Sequence, residues 1–351
     1  MDLVVLAIAF VIILVGAELF TNGIEWFGRK LGLAEGAVGS VLAAVGTALP
    51  ETTIPIVAIL FSSGAHSSEV GLGAILGAPF MLATLAMFVT GAAVLSQAGR
   101  RAAGDVMPID GSVLRADLLS FFGMYGLAIA AAIVLPSEPT WPKAVVAGIL
   151  LIAYGAYVAK HFAADPTVDL EDLAPLRLHR LDVRGRRVLP DAPRLRIVSV
   201  QVLLALACII VGAVAFVDAV DHIARAVGIS EVLLALVIAP IATELPEKLN
   251  SVIWIRQGKD TLAIGNITGA MVFQSAIPVS VALLFAPATW VVGPGSYTAF
   301  ASAGIALLAT AVIFAPFLRR TAGQLHGRRL LLGGVLYVLY LGMVVVVIAA
   351  G

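Results

Sequence analysis

Ten stretches of this chain stay apolar for about 18 to 26 residues. A helix needs about 20 residues to cross the hydrocarbon core of a bilayer. The stretches run over residues 3–27, 36–61, 71–95, 118–135, 144–162, 198–220, 231–255, 262–285, 297–318 and 330–350. Inside lipid the backbone must satisfy its own hydrogen bonds, so helices are the form they are expected to take. Composition agrees, with 60% apolar and 13% charged residues against the quarter or so that soluble domains carry. An all-α membrane protein of ten transmembrane helices is the expectation. Net charge is zero, so no field favours nucleic acid or an acidic partner. The lone Cys208 can form no internal disulfide and reads as a small core- or lipid-facing residue. The amino terminus lacks a basic region and a small-residue cleavage site, and is read as a retained first span.

Sorting lysines and arginines onto alternate sides of these spans gives a lopsided result. One side holds Arg29, Lys30, Arg100, Arg101, Arg115, Lys160, the cluster at 177–196, Arg256, Lys259 and the arginines at 319–320 and 328–329. The other holds only Lys143 and Arg225. By the positive-inside rule both termini lie outside the cytoplasm and the charged loop lies within it, with the plasma (inner) membrane as the expected location. Trp26, Trp141, Trp254 and Trp290 fall near span ends and are expected to be interfacial anchors. The loop mixes acids, bases and prolines, as a solvated connector does.

The two halves repeat. Gly32-Leu33-Ala34-Glu35 is echoed by Gly228-Ile229-Ser230-Glu231, and Thr47-Ala48-Leu49-Pro50-Glu51 by Thr243-Glu244-Leu245-Pro246-Glu247. The offset is constant, since 247 minus 51 and 228 minus 32 both give 196. Gly16 and Phe20 map onto Gly212 and Phe216 in the same way. Five spans per half is an odd number, so the second copy is expected to insert upside down. Residues 1–162 form the first inverted repeat, 163–197 the cytoplasmic connector, and 198–351 the second repeat. Inverted repeats bring equivalent broken helices together at the bilayer midplane, where transporters bind substrate and alternate access.

An ionisable residue at mid-span is costly and is by default a functional candidate. Glu51 and Glu247 are the pair that the repeat brings together. Pro50 and Pro246 lack an amide hydrogen and clash with the carbonyl four residues back, which frees the oxygens of Gly46 and Ala242. Thr47 and Thr243 stand one turn before the glutamates on the same face and add hydroxyls. Carboxylates, carbonyls and hydroxyls make an all-oxygen cage, which suits Ca2+ with its six to eight oxygen ligands; zinc or copper would want His or Cys. Two carboxylates in a low dielectric do not both stay ionised and empty, so the site must carry a divalent ion, monovalent ions or protons each time it crosses. Exchange follows from that charge compensation. Glu244 and Lys248 are four apart, as a helical ion pair would be. The pair is read either as structural or as a built-in cation standing in for a counter-ion.

The motifs Gly46-Thr47-Ala48-Leu49-Pro50-Glu51, Ala242-Thr243-Glu244-Leu245-Pro246-Glu247 and Gly265-Asn266-Ile267-Thr268-Gly269-Ala270-Met271-Val272-Phe273-Gln274 resemble the alpha-repeats of the cation/calcium exchanger superfamily. The resemblance covers nearly the whole chain outside the connector. It implies the ten-span fold of the sodium/calcium exchangers, Glu51 and Glu247 as calcium ligands, and oxygens from Thr47 and Thr243. Gln274 stands at the acidic or amide position that ends the second repeat's motif, and Glu244 joins the candidate set at a serine position. The other serine position is Ala48, and the first repeat's second helix, 73–82, is apolar where the family carries Asn and Ser. Two counter-ions therefore fit: Na+, or H+ with the sodium sites lost. No resident cofactor is expected, since Ca2+ and its counter-ion are cargo. The expected partners are inorganic cations and lipid, with no oligomeric state indicated. No zinc-protease motif, nucleophile elbow or lipid-phosphate acidic cluster supports an enzyme.

Overall fold

A computed structural model describes residues 2–48, 52, 59, 67–164, 173–181, 183–184, 187–188, 193–226, 244–293, 296–319 and 323–350. The first helix, α1 (Asp2–Leu31), buries a stripe of Ala9, Ile13, Gly16, Ala17, Phe20 and Ile24 at intervals of three and four. Its other face exposes Leu3, Val4, Ile8, Val11 and Val15, the pattern of a helix with one side in lipid. After it come α2 (Ala37–Thr47) and α3, which runs Ser67–Met81, passes a π-turn at Leu82–Ala86 and continues as Met87–Gln97. β1 (Val106–Pro108), α4 (Gly111–Val134) and α5 (Trp141–Phe162) complete the first half. The hairpin β2 (Val183–Arg184) and β3 (Arg187–Val188) lies in the connector. The second half carries α6 (Leu195–Ala226), α7 (Leu245–Arg256), α8 (Asp260–Phe285), α9 (Tyr297–Ile313), α10 (Ala315–Arg319), β4 (Gln324–His326), α11 (Gly327–Leu330) and α12 (Leu332–Ala350). β4 pairs antiparallel with β1 and ties the two halves together at that end.

Seven of the ten expected spans are present as helices long and apolar enough to cross a bilayer. The other three are shorter among the described residues. Only Ala37–Thr47 of span 36–61 and Leu245–Arg256 of span 231–255 are described. Span 297–318 breaks at Phe314, because the Pro316 ring has no amide hydrogen and crowds the carbonyl four residues back.

The pairing of α1 with α6 is reciprocal. A Cβ on Gly16 would stand 3.0 Å from Ile209 Cγ1 and 3.2 Å from Cys208 Cβ. A Cβ on Gly212 would stand 2.8 Å from Ile13 Cγ1 and 3.2 Å from Ile12 Cγ2. The offset of 196 carries Gly16 onto Gly212, Ile13 onto Ile209 and Ile12 onto Cys208, so each half makes the contact that the other makes to it. Small residues at such a crossing let the backbones approach.

The centre is α8, buried over 83% of its most apolar window and packed against α2, α4, α5 and α7. Its glycines set how close α2 comes. A Cβ on Gly265 would lie 2.8 Å from Ser40 Oγ, and one on Gly269 would overlap the Ser40 carbonyl. Ser40 itself lies in a π-turn, Ala37–Ala43, that opens α2. Such turns interrupt the regular ladder and recur at functional sites.

Three expectations need correction. Span 118–135 starts at Gly111, because Asp110 caps α4 by accepting from the amides of Ser112 at 2.8 Å and Val113 at 3.3 Å. Asp117, fully buried, is therefore part of a span rather than of a loop. Of the four tryptophans, only Trp141 is exposed. Trp26, Trp254 and Trp290 are buried, their indole N–H groups donating to Ala174 O, Glu25 Oε1 and Ala128 O. A buried indole needs such a partner, and these three find it in protein rather than among headgroups. The connector is also not wholly solvated. Leu176 is buried against Trp26 and Val198, and the amides of Arg177 and Leu178 donate to Asn22 Oδ1 and Gln201 Oε1.

The α2–α8 contact predicts the effect of Gly269→Ala. The added methyl meets a backbone carbonyl that cannot swing aside, so the melting temperature in detergent should fall, with a loss of about 1–3 kcal/mol as for overpacked cores. Gly123→Ala, on an open face of α4, should leave it unchanged or raise it.

Candidate cation site

The last turn of α2 and the first turn of α7 come together beside α8. α2 ends at Thr47, and the next residue, Ala48, leaves helical geometry at φ −81°, ψ 3°. The helix thus presents its carbonyl end inside the protein. Thr47 is fully buried, and its hydroxyl makes contacts to Ala43 O at 3.1 Å and Asn266 Oδ1 at 3.3 Å. Gly46 is closely packed, since a Cβ there would lie 3.0 Å from the Phe20 ring and 3.1 Å from Leu206, both of which would have to give by a few tenths of an ångström. α7 begins at Leu245 with proline at its second position, where a missing amide hydrogen costs nothing. Glu247 sits in that first turn, next to the amide-rich end of the helix, which favours a carboxylate.

Asn266 on α8 holds these ends together. Its Nδ2 donates to Glu247 O at 3.4 Å while its Oδ1 accepts from Thr47. The Thr47 hydroxyl also neighbours the Glu247 carboxyl. A threonine from the first copy of the repeated motif and a glutamate from the second copy thus share one small volume.

Polar atoms there are left without hydrogen bonds. Glu244 and Glu247 are each 1% exposed, and Glu244 Oε1 and Glu247 Oε2 have no partner among the described residues. Asn250, one turn further along α7 and fully buried, has neither its oxygen nor its nitrogen paired, and the Tyr337 hydroxyl on α12 is likewise unpaired. Residues 244, 247 and 250 are three apart, so they share a face. Buried polar atoms are almost always satisfied, and such a run on one helix face calls for a ligand, a water or an ion. Lys248 takes the other Glu244 oxygen, with Nζ 3.0 Å from Oε2 and 3.3 Å from the Glu244 carbonyl. The expected i,i+4 ion pair is present.

The expected site residues divide into three groups. Gly46, Thr47, Glu244 and Glu247 lie at the two helix ends. Gln274 lies two turns along α8 from Asn266, where its Nε2 donates to Thr52 Oγ1 at 3.2 Å. Pro278, inside α8, leaves the Gln274 carbonyl without its helical donor. Glu51, Ala242 and Thr243 lie outside the described residues. Asn266, Asn250 and Tyr337 were not assigned a role from sequence. The first stands in the glycine-rich motif, and its position one residue after Gly265 was the available signal; the other two carry no motif.

The chain has clear relatives. Residues 1–162 and 197–349 match the family described as sodium/calcium exchanger protein. A putative antiporter, CaxA, from Alkalimonas amylolytica is 36% identical over 89 residues, 25% of this chain and 28% of that protein's length. An uncharacterized membrane protein from Methanocaldococcus jannaschii is 22% identical over 279 residues, covering 79% of this chain and 80% of that one. Among solved structures, the sodium-calcium exchanger NCX_Mj soaked with Na+ and Sr2+ superposes with a TM-score of 0.71 at 15% identity, over 97% of each chain. The same exchanger soaked without Na+ and Ca2+ gives 0.71 at 17% identity, over 97% of this chain and 98% of that one. The fold is that of NCX_Mj, and the match over nearly all of the sequence makes this chain a member of the sodium/calcium exchanger family.

Proposed function

We propose that this multi-pass membrane protein is a secondary antiporter that moves Ca2+ against Na+ by alternating access, with Glu51 and Glu247 as the principal ligands. The observation that carries this is the set of unpaired carboxylate oxygens on Glu244 and Glu247, buried where the α2 and α7 ends meet. Thr47, Thr243, the carbonyls of Gly46 and Ala242, and Gln274 complete the oxygen shell in this reading. Broken helices that turn carbonyl ends and carboxylates toward one point are how transporters of this architecture coordinate cations at the midplane. The reciprocal Gly16 and Gly212 contacts support the two inverted halves, 1–162 and 198–351, that such a mechanism uses. Charge asymmetry between the loops favours the plasma membrane orientation with both termini outside.

A proton counter-ion is the second reading, and one observation favours it. Ala48, the residue after Thr47 at the end of α2, is buried and supplies no side-chain oxygen for Na+. Lys248 already neutralises Glu244. If Glu51 and Glu247 are the remaining charges, the pocket carries two negatives, which one Ca2+ or two monovalent cations balance. Exchange would then move no net charge.

Uptake of calcium-45 into proteoliposomes tests the reading. Uptake driven by an outward Na+ gradient should collapse to the protein-free level in both Glu51→Gln and Glu247→Gln; wild-type rates in both variants would sink the proposal. A pH gradient in place of the Na+ gradient separates the two counter-ions. Asn266→Ala, which unties the helix ends, should weaken Ca2+ affinity by about tenfold, the cost of one hydrogen bond to a strong partner. Lys248→Ala should make exchange electrogenic, read as a response of flux to an imposed membrane potential.

A further inference from the structure

A further buried acid lies on the connector side of the cation pocket, within a separate network. Asp117 on α4 is fully buried and collects groups from three other helices. Its Oδ2 accepts from Ser40 Oγ of α2 at 2.8 Å and from Thr268 Oγ1 of α8 at 2.6 Å. Its Oδ1 accepts from the Tyr157 hydroxyl of α5 at 2.9 Å. His161, one turn further along α5 and 4% exposed, sets Nε2 3.2 Å from the same Oδ1. The angle there is poor for a hydrogen bond, so the contact acts chiefly between charges.

The other ring nitrogen of His161 decides the protonation logic. Nδ1 lies 3.0 Å from the Tyr157 carbonyl, which can only accept. Both nitrogens therefore face acceptor oxygens. A neutral ring has a single N–H and must set a lone pair close to one of them; an imidazolium sets a lone pair close to neither. With three hydroxyls already donating to Asp117, the arrangement fits an imidazolium–carboxylate pair. Besides Asp117, the titratable groups around the ring are Tyr157 and Lys160 on its own helix; from the head of α2 the uncharged Gly36 packs on His161 Cδ2. From α2 and α8 the facing groups are the Ser40 and Thr268 hydroxyls, which carry no charge.

We propose that Asp117 and His161 form a proton-binding site, distinct from the cation pocket, that holds one exchangeable proton and releases it when the divalent cation binds. On release an N–H bond of the His161 ring breaks, the electron pair stays on nitrogen, and the proton leaves to water at the connector end of α5. Asp117 keeps its charge, held by Ser40, Thr268 and Tyr157. The network then becomes one unit more negative. Ser40 is seven residues, about 10 Å of helix, from Thr47 on α2, and Thr268 is two residues from Asn266 on α8. A unit charge at that range in a protein interior shifts divalent affinity by about tenfold or more. Linkage then requires the reverse, that cation binding expels the proton.

This site rests on the cation pocket proposed above, and the test keeps the two apart. Ca2+ affinity of the purified full chain is measured from about pH 5.5 to 8, bracketing the ordinary histidine range. Wild type should gain affinity by about tenfold or more as pH rises. His161→Gln, neutral at every pH, should bind Ca2+ more tightly than wild type at pH 5.5 and equally at pH 8; His161→Lys, permanently charged, should bind more weakly than wild type at pH 8 and equally at pH 5.5. A merely structural histidine does not shift affinity in opposite directions at the two ends of the range. Profiles that run parallel to wild type in either variant overturn the proton site while leaving the pocket intact. A wild-type affinity that is flat across the range overturns it without any variant. Absence of Ca2+ binding at every pH removes the pocket, and the proton site with it.

Discussion

The backbone contact between the π-turn of α2 and Gly265 and Gly269 of α8 is the constraint on which the rest of the interior depends. In lipid there is no hydrophobic gain from burying one apolar helix against another, so close packing and polar contacts must supply the association. The two glycines let α8 ride on the Ser40 backbone itself. That approach brings Thr47 to Asn266 on one side of the crossing and Ser40 to Asp117 and Thr268 on the other. Both polar clusters are consequences of one short interhelical distance. The π-turn matters for the same reason, because the extra residue per turn exposes the Ser40 carbonyl, which the Tyr157 hydroxyl reaches at 3.2 Å.

Charge is distributed around this core with little waste. Lys248 is buried among apolar helices, where an unpaired ammonium would be prohibitively costly, and Glu244 four residues earlier removes most of that cost. Arg101 pairs with Asp260 at the head of α8 and donates to Ile255 O at 2.8 Å, which fastens the α7–α8 turn to the end of α3. Lys259 and Trp254 in that same turn both reach Glu25 of α1. The pair α1 and α6 is thus joined to the body by these polar contacts near one end and by apolar packing of Phe20, Ile24 and Leu206 against α2, while its outer faces meet lipid.

Much of this was legible in the sequence because its strongest signals are long-range regularities. Apolar stretches of spanning length locate seven helices to within a few residues, and the constant offset of 196 anticipates the reciprocal packing of α1 on α6. The TxLPE repeats place Thr47 and Glu247, which do stand together. What was missed depends on local chemistry that hydropathy averages away. Asp117 was lost because its helix was started at residue 118, and the cap by Asp110, a single side chain, moves that start to Gly111. His161 fell inside span 144–162 but was given no role, since hydropathy does not report which groups the last turn of α5 touches. The π-turn has no composition signature, and the inward turn of Trp26, Trp254 and Trp290 depends on partners far away in sequence.

The two acidic sites differ in a way that separates their chemistry. Asp117 is surrounded by groups that bring hydrogen: three hydroxyls and a histidine ring fill its oxygens, and nothing is left to coordinate a metal. Lys248 holds one oxygen of Glu244, but Glu244 Oε1 and Glu247 Oε2 each lack a donor among the described residues. A carboxylate saturated with donors is stable as an anion and responds to the loss or gain of a proton in its shell. One left unsaturated in a dry interior is stable only when a cation or a proton completes it. Both lie against α8, so the occupant of either is felt by the same helix. A chain that must not let its pocket cross the membrane empty gains from that arrangement, because the charge missing from one site changes how firmly the other holds its own.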